Sequence, residues 1–260
     1  MEKRYSFEDL KEIVRTLRGE NGCPWDREQT MESLKAYVLE ESYEVMDAIP
    51  QGGLKLADEL GDLLLQIVML AQIGEEQGSF TLQDVTDAVC RKMIHRHPHV
   101  FGDVSAETSE QVLQNWEVIK RQERGIFSHT GALEDVTKNL PALLYACKVQ
   151  KKAAKIGFDF DTVEAMLEKV EEELGELRQE IAQHNSLEIE KEMGDVFFAV
   201  VNVARFLKVN PELALTGSTK KFITRFARME TLAKDNGQDL AQLSFSEMDL
   251  LWERAKREEA

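Results

Sequence analysis

Apolar residues recur along this chain at helical intervals. Leu60, Leu63, Leu64, Ile67, Leu70 and Ala71 fall three and four apart, and so do Met193, Val196, Phe197, Val200, Val203 and Ala204. That spacing lines one face of an α-helix, whereas a half-buried strand would alternate in twos. Between such stretches, Pro50, Gly52 and Gly53 mark one short turn, and His184, Asn185 and Ser186 mark another. Short connections favour antiparallel neighbours in a bundle. Only five prolines and fifteen glycines punctuate a chain rich in Leu, Ala, Glu, Lys and Met, all strong helix formers. The pattern predicts an all-α protein.

The two apolar stretches belong to an internal duplication. Residues 39–45 read LEESYEV and residues 171–177 read EEELGEL, which aligns Glu40, Glu41 and Glu44 with Glu172, Glu173 and Glu176. Residues 59–62 read ELGD and residues 192–195 read EMGD, at an offset one residue longer, as a slightly longer second turn would produce. Further on, Lys92 and Arg96 are echoed by Lys221 and Arg225, and Trp116 and Lys120 by Trp252 and Lys256. Glycine, polar residues and then Pro141 interrupt the pattern near the middle of the chain. We therefore expect duplicated helical-bundle domains at residues 1–125 and 141–260, joined by a linker at 126–140.

Charge narrows the partners. With 48 acidic against 32 basic side chains, the formal net charge is -16, which argues against nucleic acid as a primary partner. A small anion such as a nucleotide still fits, because a metal and a few basic groups can reverse the local field inside one cleft. Cys23, Cys90 and Cys147 are few, odd in number and far apart, which suits reduced thiols. The opening MEKRYSFEDLKEIV lacks the apolar centre of a signal peptide, and no run has the length of a membrane span. A cytoplasmic setting and no membrane partner are expected.

The chemistry concentrates in the acidic motifs. Glu41 and Glu44 are three apart and share a helix face; Glu59 and Asp62 do the same on the next helix. Two antiparallel helices bring these four carboxylates together, and in the second half the quartet is Glu173, Glu176, Glu192 and Asp195. Crowded carboxylates repel one another, and a hard divalent cation removes the conflict. Magnesium takes such oxygen ligands together with water and substrate phosphate, and manganese can replace it. No Glu-x-x-His accompanies the acids, which argues against a di-iron bundle. Gly61 and Gly194 sit inside apolar helices, where each costs about 1 kcal/mol relative to alanine. Their recurrence suggests close approach of a backbone or a ligand.

EESYE followed by ELGD, and EELGE followed by EMGD, resemble the paired EExxE and ExxD motif of the MazG family of nucleoside triphosphate pyrophosphohydrolases. NGCPWDREQT at 21–30 and RHPHVFGD at 96–103 resemble the N-terminal half of two-domain members, and KIGFDF at 155–160 resembles the entry to their C-terminal half. The resemblance implies the all-α NTP pyrophosphatase fold, a homodimer, and magnesium-dependent release of pyrophosphate from a broad range of nucleoside triphosphates. It implies a housekeeping role in limiting aberrant nucleotides, with the C-terminal half able to be the main active one. It further implies that Glu173, Glu176, Glu192 and Asp195 bind magnesium, and that Lys169, Glu172, Lys221, Arg225, Trp252 and Lys256 contact the nucleotide. By internal alignment, Glu41, Glu44, Glu59 and Asp62 are the metal ligands of the first half, and Lys92, Arg96, Trp116 and Lys120 its nucleotide contacts. Two positions depart from the pattern. Tyr37 stands where the second half has Lys169, and Glu188 stands where a lysine is expected one turn before Glu192.

The remaining groups have modest readings. Lys221 and Arg225 share a face and suit phosphate neutralisation, while Trp116 and Trp252 suit base stacking or simple core packing. His95, His97 and His99 alternate around Pro98, which favours a helix C-terminal turn over a metal site. Cys23 has no base near it in sequence, which argues against a nucleophilic role. Glu172, next to a metal ligand and four residues before Glu176, is the expected general base, with Glu40 its counterpart. Whether water attacks the α or the β phosphorus stays open. Two rival readings stand beside this one: a narrower dUTPase-like pyrophosphatase, and a nucleotide-binding regulatory module without turnover.

Overall fold

In a computed structural model, residues 4–259 are described; the opening Met-Glu-Lys of the N-terminal stretch and Ala260 lie outside the described residues. Among these residues there are thirteen α-helices and one 3-10 turn, and no strand. The chain divides into two compact units, Met1–Lys120 and Arg121–Ala260.

The N-terminal unit is built around a helical hairpin. Helix α1 (Phe7–Arg18) starts at a capping box in which Ser6 and Asp9 satisfy each other's backbone amides. After the short α2 (Pro24–Glu28), α3 (Leu34–Ala48) turns back into the long α4 (Gly53–Glu76). The turn needs positive φ at Gly52 and Gly53, 63° and 55°, a region glycine enters without steric cost. Val14, Leu34, Val68, Met69 and Ile73 form the core where α1 and α3 meet the second half of α4. Arg18 clamps Glu76 through two hydrogen bonds, 2.9 and 2.7 Å, and so pins α1 to the end of α4. A second capping box, Thr81 with Asp84, opens α5 (Leu82–Arg96). The short α6 (Pro98–Phe101) follows, and α7 (Ser109–Glu123) runs across the boundary between the units.

The C-terminal unit repeats the hairpin with two arms of 21 residues, against 15 and 24 in the first. Residues 126–140, expected to be linker, carry α8 (His129–Glu134), capped by Ser128 and packed on α9 (Ala142–Ala154) with Ala132 and Val136 buried. Thr162 caps α10 (Val163–Gln183), which ends in a left-handed His184 and passes almost directly into α11 (Ser186–Phe206). Gln150 of α9 donates a 2.8 Å hydrogen bond to the Phe198 carbonyl, fastening α9 to α11, and Arg205 pairs with Asp159. Pro211 opens α12 (Pro211–Asp235), and after the 3-10 turn (Leu240–Gln242) α13 (Phe245–Glu259) folds back onto it. Met229, Leu232, Ala233, Leu251 and Ala255 close that interface. Among the described residues, no helix is long and apolar enough to cross a membrane.

Candidate active site

In the N-terminal unit, the antiparallel run of α3 against α4 brings the acidic motifs face to face. Glu41, Glu59 and Asp62 each offer a carboxylate oxygen, and these atoms all lie within 4.8 Å of one another. Glu59 is only 5% exposed. Burial, then the charges of Asp62, Glu40 and Glu59, push the Glu41 carboxyl above the ordinary carboxylate range. Glu44 stands beside the trio; its hydrogen bond with Glu59 holds it above the usual range as well. Glu59 moves the other way, because Lys55, one turn earlier on α4, pairs with it and stabilises its charge.

The C-terminal unit builds the same centre from α10 and α11. Glu173, Glu192 and Asp195 again place ligand atoms within 4.8 Å of one another, with Glu173 8% exposed. Glu192 is pushed up by burial, and then by the charges of Glu176, Asp195, Glu173 and Glu180. One of its oxygens, Oε2, is buried without a hydrogen-bond partner. A buried oxygen lacking a donor, beside two more carboxylates, fits a hard divalent cation and no neutral ligand as well. Lys169 reaches in from α10, its Nζ 2.9 Å from Glu172 and 2.7 Å from Glu173.

Three of the four expected carboxylates therefore converge in each copy, with Glu44 and Glu176 alongside. The other expected basic and aromatic residues lie on other helices. Trp252 lies against Phe222, 5.1 Å between ring centroids, and packs on the α12 and α13 cluster, while Lys256 pairs with Glu253 at 2.7 Å. Lys221 and Arg225 project from α12, Lys221 exposed and Arg225 half-buried. In the first unit, Arg96 is buried with its guanidinium 5.2 Å from the Trp116 ring centre, and Lys120 lies 5.4 Å from the same ring. Lys92 is exposed.

Two expectations resolve in detail. Close approach of another backbone at Gly61 or Gly194 does not occur within either unit, since a Cβ at either position would meet nothing within 4 Å. Both glycines face open space next to the acids, which leaves room for a ligand. The histidines form a helix end: His97 terminates α5, and its Nδ1 lies 2.6 Å from the Met93 carbonyl. Among the described residues, no histidine joins a metal-competent group. Lys55 was missed in the sequence. Its signal was there, a lysine one turn before the motif glutamate, but it has no lysine at the matching place in the second copy.

A model of the MazG nucleotide pyrophosphohydrolase domain matches the chain twice, at residues 29–101 and 161–229. Each match encloses one hairpin and its acidic centre. A protein of Escherichia coli K12 named nucleoside triphosphate pyrophosphohydrolase is 43% identical over 254 residues, covering 96% of this chain and 97% of that protein. A protein of Thermotoga maritima, named nucleoside triphosphate pyrophosphohydrolase/pyrophosphatase MazG, is also 43% identical, with 96% of this chain and 95% of that protein covered. The Bacillus subtilis protein YabN, described as uncharacterized, is 47% identical over 98% of this chain but only 52% of its own length. The chain belongs to the MazG nucleotide pyrophosphohydrolase family and carries the family's domain in two copies.

Proposed function

We propose that the protein hydrolyses nucleoside triphosphates to the monophosphate and pyrophosphate, with magnesium as its metal and broad tolerance of the base. One observation carries this reading: an oxygen-only trio with ligand atoms within 4.8 Å, formed separately in both units of a chain from this family. Relatives named nucleoside triphosphate pyrophosphohydrolase, a name that specifies no base, support the breadth.

Glu41, Glu59 and Asp62 would hold magnesium in the first unit, with Glu44 adjacent; Glu173, Glu192 and Asp195 would hold it in the second, with Glu176 adjacent. Bound there, the metal supplies charge neutralisation and polarisation of triphosphate oxygens, and manganese offers the same chemistry. Glu172 accepts the proton of the attacking water in this reading, since it adjoins Glu173 and is held by Lys169. Glu40 holds the same place before Glu41. Lys169, Lys221, Arg225, Trp252 and Lys256 take the nucleotide in the second unit, and Lys92, Arg96, Trp116 and Lys120 in the first.

The same reading includes a homodimer. Leu60, Leu64 and Ile67 of α4 and Met193, Phe197 and Val200 of α11 stay exposed within their units, although they continue the stripes that bury Ala71 and Val196. A second copy would cover them. Free thiols at Cys23, Cys90 and Cys147 support a cytoplasmic setting.

A pyrophosphate-release assay across the common ribo- and deoxyribonucleoside triphosphates, with and without magnesium, tests the activity. Release from most of them, abolished by chelation, is expected. Release from dUTP alone would favour the narrow pyrophosphatase, and magnesium-dependent thermal stabilisation by nucleotide without release would overturn catalysis. Hydrolysis in heavy-oxygen water, with the label traced to monophosphate or pyrophosphate, assigns the attacked phosphorus.

A further inference from the structure

We propose that Phe222 and Phe226 of α12 form, with Trp252 of α13, the wall against which the base of the nucleotide stacks in the C-terminal unit. This rests on the reading that Lys221, Arg225, Trp252 and Lys256 take the nucleotide there.

Four residues of α12 make one stripe. Phe222, Phe226, Met229 and Ala233 follow one another at intervals of four, three and four, the spacing of a single helix face. Met229 and Ala233 are buried in the cluster with α13, 4% and 0% exposed, whereas Phe222 and Phe226 emerge from it at 54% and 43%. Their rings stack on each other, with 6.1 Å between centroids and 27° between planes, and Phe222 meets Trp252 at 5.1 Å. Three rings thus form one aromatic surface that is still partly open to solvent.

The neighbours of these rings suit a nucleotide. Lys221 precedes Phe222 and Arg225 precedes Phe226, so two cationic side chains run along the adjoining row of α12. On α13, Lys256 stands one turn after Trp252. A base requires a π-face and its phosphates require cations, and a nucleotide complements both rows at once. The phenyl rings carry no donor or acceptor, so they stack on any base without selecting one. Broad tolerance of the base follows from that chemistry.

The N-terminal unit lacks this surface. Lys92 and Arg96 repeat Lys221 and Arg225, but Met93 stands at the place of Phe222 and His97 at that of Phe226. His97 is engaged at the end of α5, its Nδ1 2.6 Å from the Met93 carbonyl. The Trp116 ring already has the guanidinium of the buried Arg96 over it at 5.2 Å. The cations recur in both units, and the aromatic wall is confined to the second.

The full-length chain with the first centre disabled by Glu59→Gln and Asp62→Asn reports the second alone. Calorimetry in magnesium compares two probes, an α,β-methylene nucleoside triphosphate and inorganic tripolyphosphate, which has the phosphates and no base. Phe222→Leu combined with Phe226→Leu is expected to weaken the nucleotide analogue about tenfold, the worth of lost stacking, and to leave tripolyphosphate unchanged. Phe222→Tyr with Phe226→Tyr should restore the analogue's affinity. An unchanged affinity for the analogue, or affinities for both probes that fall together, overturns the proposal. If the analogue is unaffected while sedimentation shows a changed subunit number, the rings serve a second copy of the chain instead. Failure of both probes to bind before either phenylalanine is replaced would remove the nucleotide site itself, an outcome distinct from loss of the base wall alone.

Discussion

The two acidic centres present the same carboxylates and different cations. In the N-terminal unit, Tyr37 packs into the core and Lys55 of α4 balances Glu59; in the C-terminal unit, Lys169 of α10 balances Glu172 and Glu173, and Glu188 turns to Lys191. The trio keeps its register in both copies, as a site proposed for a hard cation would require of its oxygens. A lysine, with its long flexible stem, reaches the same volume from either helix. The aromatic neighbours differ too. Trp252 rests on a hydrophobic cluster, whereas Trp116 has the cationic groups of Arg96 and Lys120 over its ring. The acids recur at the same places in both units, and the cations do not.

Breaking one centre at a time gives the largest expected effect. Glu59→Gln and Glu192→Gln should each abolish the contribution of their own unit, a loss on the order of a hundredfold in that centre's rate of pyrophosphate release. The double variant should fall to background, and the ratio of the two single variants gives each unit's share of turnover. Next in size is stability. Leu232 is 1% exposed in the α12 and α13 interface, so Leu232→Ala should cost about 2–5 kcal/mol in urea denaturation. That loss should appear in the transition of the C-terminal unit and leave that of the N-terminal core unmoved.

Acidity sharpens the contrast further. Glu192 holds its proton more tightly folded than unfolded, so its contribution to stability is present below the ordinary carboxylate value and is lost as pH rises through the raised folded value. Metal-free protein should therefore lose thermal stability in the C-terminal unit as pH rises above the ordinary carboxylate range, and Glu192→Gln should flatten that slope. Glu59 has the opposite sign: its stabilisation is fully present above the ordinary value and is lost as pH falls through the lowered folded value, whereas the raised Glu41 and Glu44 lose theirs as pH rises above the ordinary value. The N-terminal unit should accordingly lose stability on both sides of the ordinary carboxylate range, and the C-terminal unit on the alkaline side. The smallest effect expected is Ser6→Ala, which removes the α1 cap and should cost about 1 kcal/mol, seen in the N-terminal transition alone.

Most of this fold was legible because its signals are local. Apolar spacing marked α4 and α11, and Gly52, Gly53 and His184 sit where the turns were read. The trios were legible because each motif keeps its acids on one helix face. Lys55 was not, since the lysine expected one turn before the motif glutamate was sought before Glu192, where Glu188 stands, and not before Glu59. Nor was α8, whose six residues depend on burying Ala132 and on the neighbouring Val136 rather than on any periodic pattern. The uncovered faces of Leu60, Leu64 and Ile67 were hidden for a similar reason, because a helical stripe shows that a face is apolar without showing what covers it.

The central claim, that each hairpin traps a hard divalent cation, is tested most directly by counting metal. Titration of the full-length chain with Mn2+, followed by electron paramagnetic resonance, should give two sites per chain, one in either Glu59→Gln or Glu192→Gln, and none in the double variant. Binding whose stoichiometry ignores both substitutions would contradict the claim.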